Sequence, residues 1–470
     1  MKKILPFFLI SITVAMNSFS QNILSSGCTP SSAKKNLDIN NVNAMMLNGG
    51  DLWWDYANSA HGQYEVPKGS GKMSIYAGAI WIGGYDAGNN LHGAMQEYRN
   101  GGNDFWPGPL DTLNANVTSS TCTQYDYIWK INHFDVEMFK YEWALGNVQN
   151  GTYVPPADFL SWPGDGNVSL GQAAHLAPYV DVNNNGVYDP LTGGDYPKIK
   201  GDQMLWWIMN DKGDFHSQTN CLPMGIEIHA SAYAFTCPSL PDSEQTLNCT
   251  TLYHYEIFNR STLNYDSTYF GIWQDPDLGC AVDDRVGCYP AGNYAYVYNG
   301  DSVDVSCSGE VGYGSHPPIL STAFLNGPKL MTDFIYFTNG TAYPTNEPST
   351  CKEYHNRLSG SWQDGTPWTF GGTGFGGTID TSFVFPDFPY DTSGWSEVTI
   401  KATPGDRRLI MGSGPFTLPA GQKVDYDFAV VFTRDTTLPW LSKAIFDKNM
   451  HDVEKVQYWF ANNNFHPALI

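Results

Sequence analysis

The sequence predicts an all-β protein: β-sandwich-like sheets with long loops and one C-terminal α-helix. Three observations carry that expectation. Glycine (47 residues) and proline (29 residues) interrupt the chain every few positions, and both are residues that turns require. Between them lie short aromatic and β-branched runs with period two, the spacing that sets one row of side chains on a core. Only near the C-terminus do apolar residues recur at helical spacing.

Taken in chain order, the first element is MKKILPFFLISITVAMNSFSQ, with two lysines, an apolar run from Ile4 to Met16 and small residues at Ser18 and Ser20. This reads as a cleaved secretory signal over residues 1–20. The run is too short to span a bilayer, and no later stretch approaches the eighteen or so apolar residues a membrane helix needs. The expected mature chain has no transmembrane segment and is secreted, or held at the outer surface of a bacterial cell.

Residues 21–240 read as one β-rich region and 241–437 as a second. The boundary is drawn at the polar stretch CPSLPDSEQTLNC, Cys237 to Cys249, which reads equally well as a long hairpin loop. The strongest strands are IEIHASAYAF, with Ile226, Ile228, Ala230, Ala232 and Ala234 on one face, and VDYDFAVVF, with Val424, Tyr426, Phe428, Val430 and Phe432 on one face. Each alternation implies one face on the core and one toward solvent. TLYHYEIFN, STYFGIW, YAYVYN, DFIYFT and TSFVF read as further strands. Residues 438–470 read as a helix and tail, with Leu441, Ile445, Val453, Val456 and Phe460 in helical register and an Asn-rich stop after Ala461.

The formal charge of −22 becomes −24 when Lys2 and Lys3 leave with the signal. Such a surface repels phosphate backbones, so nucleic acid is not an expected partner. Nine cysteines without a CxxC pair suggest disulfides in an oxidising compartment rather than zinc. Cys280 with Cys288, and Cys237 with Cys249, are nearest in sequence, but spacing does not determine connectivity.

One stretch has the spacing of a calcium loop. In DVNNNGVYDP, Asp181, Asn183 and Asn185 fall at positions 1, 3 and 5, Gly186 at the turn position 6, Val187 offers its carbonyl at 7, and Asp189 stands at 9. Position 12 is Thr192 instead of a bidentate glutamate, so a further carboxylate must come from outside the loop, with Asp195 first and Asp202 next. The plain alternative is an Asx-rich turn. A second acidic cluster, WQDPDLGCAVDDRVGC, holds Asp275, Asp277, Asp283 and Asp284. It reads as a second metal site, as a pair of glycosidase-like carboxylates, or as a solvated loop held by a disulfide.

Aromatic clusters such as DLWWDY, NDFWPGP and LWWIM suit sugar stacking, although large aromatics are more often buried for their area. No HExxH helix, GxSxG elbow, P-loop or dinucleotide fingerprint is present, and no catalytic residue is nominated.

Six segments resemble exported Bacteroidota proteins, most of unassigned function, that usually carry a C-terminal sorting domain for type IX secretion. They are LNGGDLWWD, YEVPKGSGKMSIYAGAIWIGGYDAGNNLH, GNDFWPGPLD, LAPYVDVNNNGVYDPLTGGDYPKIKGDQMLWWIMND, WQDPDLGCAVDDRVGCYPAGNYAYVYNGD and PGDRRLIMGSGPFTLPAGQ. The resemblance implies a secreted or surface β-rich protein, with the Asp181–Asp189 loop part of its architecture. It supplies no catalytic residue, and the chain ends at NNNFHPALI where such proteins usually continue into the sorting domain.

The leading expectation is therefore a non-enzymatic, calcium-stabilised β-protein of the cell surface or matrix, with a structural, adhesive or glycan-binding role and a surface glycan or envelope protein as partner. The alternatives are a polysaccharide hydrolase using two aspartates of the 275–284 cluster, and a subunit of a larger surface assembly.

Overall fold

Two large antiparallel sheets pack face to face in the computed structural model, which describes residues 26–237, 242–338 and 341–463. The expected signal at 1–20 and the last tail residues lie outside these. The ten-stranded sheet runs Asp333–Thr338, Arg407–Leu418, Tyr265–Asp275, Ala77–Tyr85, Asp51–Leu52, Asn43–Leu47, Tyr64–Glu65, Met73–Ile75, with Lys34–Leu37 and Leu91–Met95 paired beside it. The nine-stranded sheet runs Asp284–Tyr289, Tyr294–Asn299, Ile319–Asn326, Lys423–Thr433, Thr250–Asn259, Ile226–Ala234, Gln203–Asn210, Trp106–Pro107, with Trp129–Asn132 alongside. The Cys237–Cys249 stretch joins two paired strands, and each sheet takes strands from both sides of it.

The inter-sheet core is built by the expected alternation. Ile226, Ile228, Ala230, Ala232 and Ala234 all point into it, as do Tyr426, Phe428, Val430 and Phe432. They meet Ile80, Ile82, Phe270, Ile272 and Met411 from the facing sheet. Phe270 stacks on Tyr426 at 4.1 Å between ring centroids, which adds aromatic attraction to the area buried.

The expected solvent face of these strands is a correction. Every residue of Ile226–Ala234 is buried, because Tyr233, Ala429 and Val431 pack under the C-terminal helix and a long insertion near residues 125–199. Glu227, His229 and Ser231, polar yet buried on this second face, hid it from a reading based on alternation. TSFVF is also not a strand. It forms a single parallel bridge, Phe334 to Phe383, and buries Val384 and Phe385 against the outside of the ten-stranded sheet.

The helix near the C-terminus spans Lys443–Ala461, capped by the Ser442 hydroxyl and buried along Ile445, Phe446, Val453 and Val456. Four α-helices among the described residues went unforeseen, the short Ser119–Gln124 and Ala157–Leu160 and two longer ones. His133–Ala144 buries only Val136 and Phe139, while its other aromatics alternate as a strand would. Cys351–Leu358 is short but carries a capping box between Thr350 and Glu353. Disulfides join Cys28 to Cys122, Cys221 to Cys351 and Cys280 to Cys307. Cys237, Cys249 and Cys288 are free thiols. Among the described residues, no helix is long and apolar enough to cross a membrane.

Candidate functional site

The strand Tyr265–Asp275 lies inside the ten-stranded sheet, and its C-terminal end carries Asp275, Pro276 and Asp277. Proline has no N–H to continue the ladder, so the chain turns after Asp275. The turn is tightened by Gly279 at φ +81, a conformation other residues resist. In the neighbouring strand Leu409 pairs with Gln274. The next step of an antiparallel register sets Arg408 opposite Asp275, and Asp406, two residues earlier, falls on the same side.

Three carboxylates converge here. One oxygen each from Asp275, Asp277 and Asp406 lies within 4.8 Å of the others, a group able to hold a metal ion. The Arg408 guanidinium reaches Asp275 Oδ2 at 3.2 Å and Glu347 Oε1 at 3.1 Å, and also pairs with Asp406. The Tyr98 hydroxyl donates to Asp275 Oδ2 at 2.6 Å and accepts from Arg408 Nε at 2.9 Å. Asp275 is 2% exposed, yet its Oδ1 is buried with no hydrogen-bond partner.

Four carboxylates around one guanidinium leave three negative charges uncompensated if all ionise. Like charges at this density need protons or a cation. Burial pushes Asp275 up to about 7 against the pull of Arg408. Burial and then the charges of Asp275 and Asp406 push Asp277 well above the carboxylate range. Glu97, buried beside Glu347, rises to about 8. A donor set of oxygens alone suits hard cations such as calcium or magnesium rather than zinc or copper.

Asp275, Asp277 and Asp406 line one wall of an open cleft of about 320 Å³, completed by Trp54, Tyr76, Tyr98, Asn100 and Arg408. Trp54 lies 4.8 Å from Tyr76 and 5.6 Å from Tyr98 between ring centroids. Tyr98 in turn meets Trp273 edge-on at 4.9 Å. One oxygen from each acid lies within 4.8 Å of the others, a spread that a shared cation can span and that borders on the about 5 to 5.5 Å between the carboxyl groups of retaining glycoside hydrolases.

The expected foursome at 275–284 is divided. Asp275 and Asp277 join Asp406, whereas Asp283 and Asp284 stand with Asp304 beside the Cys280–Cys307 bridge. Asp284 accepts from Leu278 N at 2.9 Å, and Asp304 accepts from Cys280 N at 3.2 Å. Burial raises all three, Asp283 to about 6.

The Asp181–Asp189 loop is closed by side-chain-to-backbone bonds of the kind an Asx-rich turn makes. Asp181 accepts from the N–H groups of Asn185 at 3.2 Å and Gly186 at 2.8 Å. Asn183 accepts from Asn185 N at 3.0 Å, and Asn185 accepts from Val187 N at 2.8 Å. The amides of Asn183 and Asn185 turn to the Asp189 carboxylate at 3.3 and 3.1 Å. Asp195, fully buried, ties the loop at both ends through Val182 N at 2.8 Å and Asp189 N at 3.1 Å. Burial, with Asp189 close by, raises it. Asp202 is not beside them: its carboxylate accepts from Thr236 N at 2.8 Å.

Asp406, Arg408, Tyr98 and Glu347 were not singled out from the sequence. Trp54 lay in the flagged DLWWDY cluster, but nothing local marks the others. No protein-family model matches the chain, and no curated protein sequence matches it.

Proposed function

We propose that this chain is a secreted or cell-surface β-protein that binds glycan in the Trp54–Asp275 cleft with the help of calcium. The observation that carries the reading is the convergence of Asp275, Asp277 and Asp406 beneath aromatic rings, with a buried Asp275 oxygen left without a donor. A calcium ion there would supply that oxygen's missing partner and keep open positions for sugar hydroxyls, while Trp54 and Tyr76 offer ring faces. The Asp181–Asp189 loop with Asp195 is the second calcium position, and its role is structural, bracing the insertion internally where Asp195 and Asp165 already hold its N–H groups. Three disulfides agree with an oxidising, extracellular setting. The resemblance to exported Bacteroidota proteins points the same way.

The test is calorimetric titration of calcium into chelated protein, followed by glycan-array binding with and without calcium. The expected result is saturable calcium binding weakened in Asp277→Asn, and glycan capture that needs calcium and Trp54. A flat calcium isotherm, or capture indifferent to chelator and to Trp54→Ala, would sink the reading.

A further inference from the structure

At the opposite end of the same two strands lies a second pocket. Tyr265–Asp275 and Ala77–Tyr85 pair from Asp275 with Ala77 to Asp266 with Tyr85. Ser267 is therefore about 27 Å from Asp275 along the strand, eight residues at ~3.4 Å each. The pocket, about 660 Å³ and open to solvent, is lined by Tyr85, Ser267, Tyr269, Tyr343, Lys352 and His355 among others. That volume is in the range of small-molecule sites.

His355 is the feature that needs explaining. It is 4% exposed, and neither ring nitrogen has a hydrogen-bond partner of good geometry. Such a group buried without a partner is costly and calls for a ligand or water. Its position is built. The helix Cys351–Leu358 is tied to the body by the Cys221–Cys351 disulfide. The ring lies edge-on between Tyr85 and Tyr269, at 5.1 and 6.0 Å. Gly83 leaves the notch it occupies, since a Cβ there would come within 3.2 Å of the ring. Burial and the charge of Lys352 hold the imidazole neutral, its acidity shifted to about 4, against a weak pull from the Ser267 main chain. A neutral imidazole offers one donor and one acceptor, the pair that a sugar hydroxyl uses. Lys352 donates to the Tyr85 hydroxyl at 2.7 Å and brings the one cation among the described residues that line the pocket. Glu353 and Asp364 on the same rim disfavour an anionic ligand.

We propose that the pocket over His355 is a second, cation-independent site for a neutral, hydroxyl-rich ligand, a pyranose unit. The imidazole exchanges hydrogen bonds with a hydroxyl, Tyr269 and Tyr343 supply ring faces, and Lys352 donates from the rim.

The experiment is saturation-transfer difference NMR with maltose, cellobiose, xylobiose and mannobiose in EDTA, so that the calcium cleft does not contribute. At least one disaccharide is expected to receive saturation. Asp277→Asn should leave that signal intact, and His355→Phe should weaken binding by about tenfold, the equivalent of one lost ligand hydrogen bond. Lys352→Ala alters only an exposed side chain and should also weaken it, which keeps the test valid if the His355 variant folds poorly. No transfer to any of the four sugars, or a signal unmoved by Lys352→Ala and by a folded His355→Phe, would overturn the proposal.

Discussion

Asp275 and Arg408 face each other across adjacent strands of the ten-stranded sheet, Oδ2 to guanidinium nitrogen 3.2 Å. The other Asp275 oxygen is buried with no donor. The guanidinium is shared with Asp406 and Glu347, so it neutralises only part of the charge around it. The pair therefore acts as a scaffold that keeps a carboxylate buried in an incompletely neutralised state, a condition a divalent ion would relieve.

Replacing Arg408 with methionine should show this. Removing one member of a buried pair typically costs about 3–5 kcal/mol, because the remaining charge is stranded. Thermal melting of Arg408→Met in EDTA is expected to fall well below wild type, and millimolar calcium should recover part of the difference. A variant as stable as wild type in EDTA would mean that the carboxylates are already neutralised by protons.

The loop site has its own discriminating position. A Cβ on Gly193 would come within 1.8 Å of Asp189 Oδ1 and 2.4 Å of Asn183 Nδ2, so Gly193→Ala must push the Asp189 carboxylate from its place. Calorimetry on wild type is expected to report two calcium ions per chain, and on Gly193→Ala one. Asp181→Ala should give the same count. If both variants keep the wild-type stoichiometry, the stretch is an Asx turn and the cleft is the site that binds.

Asp333 gives a pH signature independent of calcium. It is 3% exposed, holds one hydrogen bond from the Thr332 hydroxyl at 2.9 Å, and burial pushes it up to about 8. A carboxyl with a raised folded pKa stays protonated in the fold while the unfolded chain ionises near its ordinary value. The folded state then binds the extra proton, and stability falls as pH rises from about 4 to about 8. Asp333→Asn removes that penalty at nearly constant shape. Its melting temperature should exceed wild type at pH 8 and nearly match it at pH 4. A difference that is the same at both pH values would show that the carboxyl is ionised in the fold.

The strands were legible because alternation reports directly on a buried face: Ile226 to Ala234 and Val424 to Phe432 needed no partner to be recognised. Their second buried face was not legible, since Glu227, His229 and Ser231 look solvent-facing in a pattern and are buried where a helix and an insertion distant in sequence cover that side of the sheet. The same limit applied to the cleft. Asp275 and Asp277 advertise themselves by density of charge, but Asp406 and Arg408 arrive about 130 residues later through a strand register, which no local spacing encodes. The Asp181 loop was recognisable as a turn because its Asx residues and Gly186 lie within nine consecutive residues. Asp195, sought as a nearby carboxylate, does meet the loop, but through the Val182 and Asp189 N–H groups.

The disulfides extend this to energetics. Cys221–Cys351 closes a separation of 130 residues and fastens the helix that carries His355, while Cys280–Cys307 closes 27. The shorter loop lies inside the longer one, so with both bridges present the longer loop is effectively nearer 100 residues. Chain entropy assigns about 4.7 kcal/mol to a loop of that size and roughly 3.5 kcal/mol to the shorter one, with measured effects often smaller. The Cys221→Ser/Cys351→Ser double variant should therefore lose more stability in urea than Cys280→Ser/Cys307→Ser. It should also lose disaccharide binding in EDTA, because the helix that places His355 is no longer tied down, while calcium binding in the cleft persists. The shorter bridge should do the reverse: it stands beside the Asp283–Asp284 turn, close to Asp277, and its removal should weaken calcium while leaving the His355 pocket untouched. Equal effects of the two double variants on both ligands would show that each bridge stabilises the sandwich as a whole rather than the site beside it.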